Sequence, residues 1–82
     1  MLQSAQMRAA RALLDWRQDD LARKAKIGLA TIQRLEKGEG PLMAHVSTVL
    51  KIEACLKKAG IVFLDNDTGQ GIGVRLKIKS GR

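Results

Sequence analysis

The feature that most constrains this chain is a break of only three residues, Lys26-Ile27-Gly28, between two short helical patterns. Upstream, Leu21, Ala22 and Ala25 recur at helical spacing, and Asp19 and Asp20 stand in the first turn of a helix starting near Gln18, where the helix dipole favours negative charge. Downstream, Leu29 to Lys37 carries Ile32 and Leu35 inward, and Gly38 is suited to a left-handed cap. A turn this short presses the two helices together. Ala22 is small enough for their closest contact, and Ile27, Ile32 and Leu35 supply apolar surface beneath it. The second helix of such a pair can lie in the major groove of DNA while the first crosses the phosphate backbone.

Charge supports that reading. Residues 8–37 hold eight cations (Arg8, Arg11, Arg17, Arg23, Lys24, Lys26, Arg34, Lys37) and four anions. The next thirty residues are slightly acidic, and Arg75, Lys77, Lys79 and Arg82 make the end basic again. The whole chain of 82 residues carries +7, which favours a polyanionic partner. A membrane-surface helix would set a wide apolar face against a Lys/Arg face on one segment, and no segment here does so. No apolar run approaches the ~20 residues that span a bilayer. Met1 to Arg11 lacks the apolar stretch of a signal peptide, so a cytoplasmic protein is expected. A single cysteine excludes an intrachain disulfide, and a single histidine excludes most metal sites. Neither a metal nor a cofactor is expected, and one His with one Cys assembles no catalytic triad, so no enzyme is expected.

Around the central pair, Ser4 is read as the cap of a first helix with Met7, Ala10 and Leu14 inward. Its capping box is incomplete, because Met7 stands where a Glu or Gln would reciprocate. Glu39-Gly40-Pro41 forms a loop. Met43 to Ala59 carries Val46, Val49, Leu50 and Leu56 at helical spacing, and Gly60 stops that helix. The period then changes from helical to alternating. Ile61 to Leu64 is a short apolar run, and Val74, Leu76 and Ile78 alternate with Arg75, Lys77 and Lys79. Asp65 to Gly73 joins the two strands as a hairpin loop. The expected architecture is mainly α: four helices over residues 1–60 followed by a β-hairpin over residues 61–82, in one compact domain.

Other segments lose to simpler readings. Gly69-Gln70-Gly71-Ile72-Gly73 has no helix after it whose N-terminus could hold a phosphate, so it is a hairpin loop. Asp65-Asn66-Asp67 opens like a calcium loop, but Gln70 stands at the required glycine and Leu76 at the bidentate glutamate. Cys55 is most simply a small buried hydrophobe, with a reactive thiol as the competing reading. Trp16 is core rather than a stacking platform. His45 is left open between a surface residue and a phosphate contact.

On the reading helix, Arg34 can bond guanine O6 and N7 in bidentate fashion, and Gln33 can do the same for adenine N6 and N7. Leu29 and Ala30, apolar at the start of that helix, suit thymine methyl groups. Arg17, Arg23, Lys24 and Lys37, with Arg8 as a further candidate, suit phosphates. For each of these charged residues a solvated helix face is the alternative.

Gln18, Leu21, Ala22, Ile27, Thr31, Ile32, Leu35, Glu36 and Gly38, in this order and spacing, resemble the lambda-repressor-like, Cro/repressor-type helix-turn-helix (XRE) family over roughly Met7 to Ala59. The resemblance implies that Gln18 meets a phosphate and braces the reading helix. It implies base contacts from Leu29, Ala30, Gln33 and Arg34, and backbone contacts from Thr31 and Lys37. It further implies an ion pair between Arg11 and Glu36, and a loop, Gly38-Glu39-Gly40, whose main-chain N–H groups approach phosphate. Lys26 departs from the family by replacing the usual turn glycine, where a left-handed backbone would cost about 1 kcal/mol. Arg17 and Gly28 stand where Ser or Thr usually caps a helix. The fifth helix common in the family is missing, and the hairpin takes its place.

The resulting expectation is a sequence-specific regulator of transcription, a repressor that binds a palindromic operator in double-stranded DNA as a homodimer. The alternative is the antitoxin of a toxin–antitoxin pair, which would autoregulate through the same fold and hold a toxin elsewhere. Two strands alone are marginal and their edges invite pairing. The homodimer is therefore expected to form through the hairpin, around Ile61, Phe63, Val74, Leu76 and Ile78.

Overall fold

The computed structural model describes residues 2–77. Ile78, one of the expected dimer contacts, lies outside them, as do Lys79 and Arg82. Four helices are followed by two strands: α1 (Ser4–Leu14), α2 (Gln18–Ala25), α3 (Leu29–Lys37), α4 (Val46–Lys58), β1 (Ile61–Leu64) and β2 (Gly73–Leu76). Met7, Leu21, Ile32, Ile52 and Leu56 are among the largest fully buried side chains and come from all four helices, so one core joins them. Among the described residues no helix is long and apolar enough to cross a membrane.

The start of α1 is built differently from the expectation. Its N-cap is Gln3, and Gln6, one turn in, accepts the Gln3 main-chain N–H at 3.0 Å through Oε1. Ser4 is not the cap. It is the first helical residue, buried, and its Oγ donates to the Leu35 carbonyl at 2.7 Å, tying α1 to the last turn of α3. The reciprocating glutamine is Gln6, one position before Met7, where the capping box of a Ser4 cap would have placed it. The N-terminal segment also pairs with the loop after α3, through a Gln3–Pro41 bridge and a bond from the Leu42 N–H to the Leu2 carbonyl at 3.2 Å.

The turn between α2 and α3 follows the expectation. Lys26 adopts φ 60°, ψ 46°, with its N–H on the Arg23 carbonyl and the Ile27 N–H on the Ala22 carbonyl, the two bonds of a Schellman motif. A lysine thus holds a left-handed position. At the end of α3 the expectation fails, since Gly38 is extended (φ −72°, ψ 178°) and not left-handed. The Arg8 guanidinium on α1 reaches across to the Glu36 carbonyl, with a longer contact to that of Gly38 at 3.4 Å. A side chain from another helix therefore satisfies carbonyls that a glycine cap would have served.

Helix α4 begins at Val46, with His45 as its N-cap, and not at Met43. Leu42 is drawn inward by its pairing with Leu2, which unwinds the residues after it. The buried stripe is Val49, Ile52 and Leu56, while Val46 (67%) and Leu50 (57%), expected inside, are exposed. Gly60 turns the chain into β1 at φ 109°, where an added Cβ would stand 3.2 Å from Leu76 Cδ1.

The hairpin is antiparallel, with Ile61 opposite Leu76, Val62 opposite Arg75, Phe63 opposite Val74 and Leu64 opposite Gly73. Cross-strand partners share a face, so Ile61, Phe63, Val74 and Leu76 point the same way, toward the helices. Ile61 is buried in the protomer's own core and the other three are partly buried against it. These side chains are accordingly occupied within the protomer. Gln6 holds the far end of the hairpin, since its Nε2 donates to the carbonyls of Leu64 (3.2 Å) and Gly73 (3.0 Å).

Candidate nucleic-acid interface

The outward face of α3 follows from helical geometry. At about 100° per residue, Leu29, Ala30, Gln33, Arg34 and Lys37 fall within one arc of about 140°, opposite Ile32 and Leu35. All five are exposed, including Leu29 at 41%, a large apolar side chain left in water at the start of a helix. Arg34 makes only a long contact to the Met43 carbonyl, 3.4 Å, so its guanidinium donors are essentially free. Thr31 is half-buried at the edge of this face.

The helix is held in place by a three-helix clamp. Arg11 on α1 meets Glu36 on α3 in bidentate fashion, Nε to Oε2 at 2.6 Å and Nη2 to Oε1 at 2.7 Å. Gln18 on α2 adds Nε2 to Oε1 at 3.1 Å. Glu36 is 3% exposed, so its charge is compensated within the protein. The hydrogen bond to Glu36 holds the Arg11 guanidinium above its ordinary value. A third bond, from Arg11 Nη1 to the Trp16 carbonyl at 2.9 Å, fixes the α1–α2 corner. Gln18 thus braces α3 through Glu36, with its amide committed to that carboxylate.

The cations expected at phosphates divide into groups. Lys37 is exposed. Arg17 lies near Asp19 (3.4 Å) and Asp20 (3.9 Å), and Arg23 bonds Asp20 at 2.9 Å. Asp20 sits below the usual carboxylate range, chiefly because it accepts the Arg17 main-chain N–H at 2.8 Å. Exposed pairs of this kind are screened by water and contribute little, so both arginines can exchange them for phosphate oxygens. Lys24 lies elsewhere, 5.2 Å from the centre of the Trp16 ring and beside Cys55 and Lys58. Arg8 is spent on the end of α3. Gly38 is exposed on the loop that follows.

Tertiary structure adds a feature with no sequence signal. A groove of about 600 Å³ runs from Thr31 and Arg34 on α3 to Leu42, Met43, His45 and Thr48 around the start of α4. It places the exposed His45 in the same groove as Arg34. Nothing in the spacing of residues 42–48 foretold it, because their conformation depends on the pairing of Leu42 with Leu2.

The sequence profile of the helix-turn-helix family matches residues 7–59. No curated protein and no solved structure matches the chain. The matched segment begins within α1 and ends just after α4, so it contains the clamp, the turn and the exposed face of α3, and stops before the hairpin.

Proposed function

The chain belongs to the Cro/C1-type helix-turn-helix family of DNA-binding transcription regulators, and from that membership we propose that it is a repressor acting on a palindromic operator as a homodimer. The observation that carries this reading is the exposed, uncommitted face of α3, held by the buried Arg11–Glu36–Gln18 clamp. Arg34 and Gln33 read purine edges, and Leu29 and Ala30 meet thymine methyl groups. Arg17, Arg23, Thr31 and Lys37 set the register on phosphates, with the N–H groups around Gly38 beside them. Gln18 reaches a phosphate with its main-chain N–H at the start of α2, since its side-chain amide serves Glu36. Two copies place their reading helices about 34 Å apart, one turn of B-form DNA. Repression asks least of such a protein, because occupying the operator is enough to keep other proteins off it.

Selection of bound sites from random duplex DNA, followed by titration of variants, tests the assignment. Arg34→Ala should relax preference at one base pair of each half-site by about 1–3 kcal/mol, whereas Lys37→Ala should weaken all sequences alike and flatten the salt dependence by about one ion. Equal effects from the two substitutions would overturn the division of roles, and recovery of no enriched sequence would overturn specificity. An unrelated chain that co-purifies at equal stoichiometry would move the protein to the antitoxin reading.

A further inference from the structure

A second basic surface lies between α2 and α4, beyond the groove that Arg34 shares with His45. Thr48, Lys51, Cys55 and Lys58 recur at spacings of three, four and three, so they share one side of α4. Thr48 lines the groove beside Arg34, and Lys58 stands about 15 Å further along the helix axis. There the row meets the end of α2. Lys24, Lys26, Lys51 and Lys58 line one cleft of about 300 Å³, and Lys24 and Lys58 also line an adjoining cleft of about 350 Å³ with Trp16. On α2, Arg23 is turned about 100° from Lys24 and bonds Asp20, so different cations serve the two flanks of that helix.

All four lysines are exposed. No carboxylate lines either cleft, and among the described residues none of the four forms an ion pair. Like charges gathered without a counter-charge repel one another, and a polyanion relieves that repulsion. Residue type decides which polyanion. Protein interfaces are enriched in arginine and aromatic residues and depleted in lysine. Lysine is a flexible point charge that suits phosphate oxygens without requiring a planar partner. Trp16 packs against the core and carries the Lys24 ammonium 5.2 Å from its ring centre, so it offers no free ring to stack an unpaired base. The backbone of a duplex fits these groups better than a protein surface or a single strand.

We propose that the cleft between α2 and α4 is a second duplex-backbone site, through which a protomer seated on DNA by α3 holds a separate double-stranded segment. Its contacts are to phosphate alone, so it carries no sequence preference. The site goes beyond the operator reading above and needs only that α3 occupies one duplex.

A biotinylated duplex carrying a selected site, loaded with protein and washed, should capture a fluorescent duplex of unrelated sequence at low salt. Capture should weaken with salt at a log–log slope of about −3.6 for four phosphate contacts. Lys51→Gln/Lys58→Gln should keep the circular dichroism of the wild type and its affinity for the immobilised duplex. Its capture of the second duplex should fall about tenfold or more, with a salt slope flatter by about two. Capture through the free reading helix of a dimer would survive in this variant, so equal capture by variant and wild type would overturn the proposal. No capture by the wild type would do the same. So would a variant that loses affinity for the immobilised duplex only when that duplex is lengthened, since the lysines would then serve the flank of one segment. Polyglutamate that binds at these lysines and is not displaced by duplex would also refute it. If selection enriches no site, the operator assignment falls, and the comparison of wild type with variant still runs on any immobilised duplex.

Discussion

Replacing Glu36 by alanine tests the clamp that holds the reading helix. The carboxylate accepts three hydrogen bonds, from Arg11 Nε and Nη2 and from Gln18 Nε2, and is almost wholly buried. Removing one partner of a buried ion pair costs about 3–5 kcal/mol when the other charge is stranded. Arg11 would be stranded only in part. Its side chain is 20% exposed and keeps the Trp16 carbonyl, so some hydration returns. A loss of about 2–3 kcal/mol is the reasoned magnitude. A domain of this length holds about 4–12 kcal/mol in total. The melting temperature should therefore fall by about 10–20 °C, which thermal unfolding followed by circular dichroism would measure. Glu36→Gln keeps the shape and an acceptor oxygen, and should lose about half as much. The double variant with Arg11→Ala should cost clearly less than the two single losses added, because the interaction can be removed only once. A Glu36→Ala protein melting within a few degrees of wild type, or strict additivity in the double variant, would refute the reasoning.

Lys26→Gly should raise stability by about 0.5–1 kcal/mol, since glycine meets no Cβ penalty at φ 60°; chemical denaturation checks it, and an unchanged midpoint would count against strain at that turn. Gln6→Met keeps the volume of a side chain that is 3% exposed but removes its bonds to the hairpin and to the α1 cap, so amide exchange in β1 and β2 should accelerate while α2 and α3 stay protected. Burial pushes the Cys55 thiol up, with Lys24 and Lys58 opposing it. Stability is then complete below the ordinary thiol range of about 8.5 and is lost as pH rises through the higher folded value, a loss that Cys55→Ala should abolish. Alkylation of Cys55 should be correspondingly slower in the folded protein than in urea, and equal rates would contradict the assignment.

Local chemistry along the chain determines much of this protein. The three-residue break, the acids after Arg17 and the inward positions Leu21, Ala22, Ile32 and Leu35 define α2, the turn and α3, because short-range periodicity and turn geometry act within a few residues. The same periodicity sets Leu29, Ala30, Gln33 and Arg34 on one outward face, since what opposes a buried stripe must face away from it. The inward side of β2 was legible for a similar reason, because Val74 and Leu76 alternate with Arg75, whereas the pairing of the two strands came only with the structure. Tertiary contact decided the rest. Gln3 took the cap expected of Ser4, and Gln6 took the reciprocating position expected at Met7, its two polar ends reaching both the cap and the distant hairpin. Arg8 took over the carbonyls at the end of α3, so Gly38 had no need of a left-handed turn. Leu42 was captured by the N-terminal segment, which delayed α4 and left Val46 and Leu50 facing solvent while Ile52 filled the core. Each of these outcomes depends on a group more than twenty-five residues away, or on a competition between two apolar faces of one helix. Periodicity along the chain carries no information about either, because only the packed core determines which face it can accommodate.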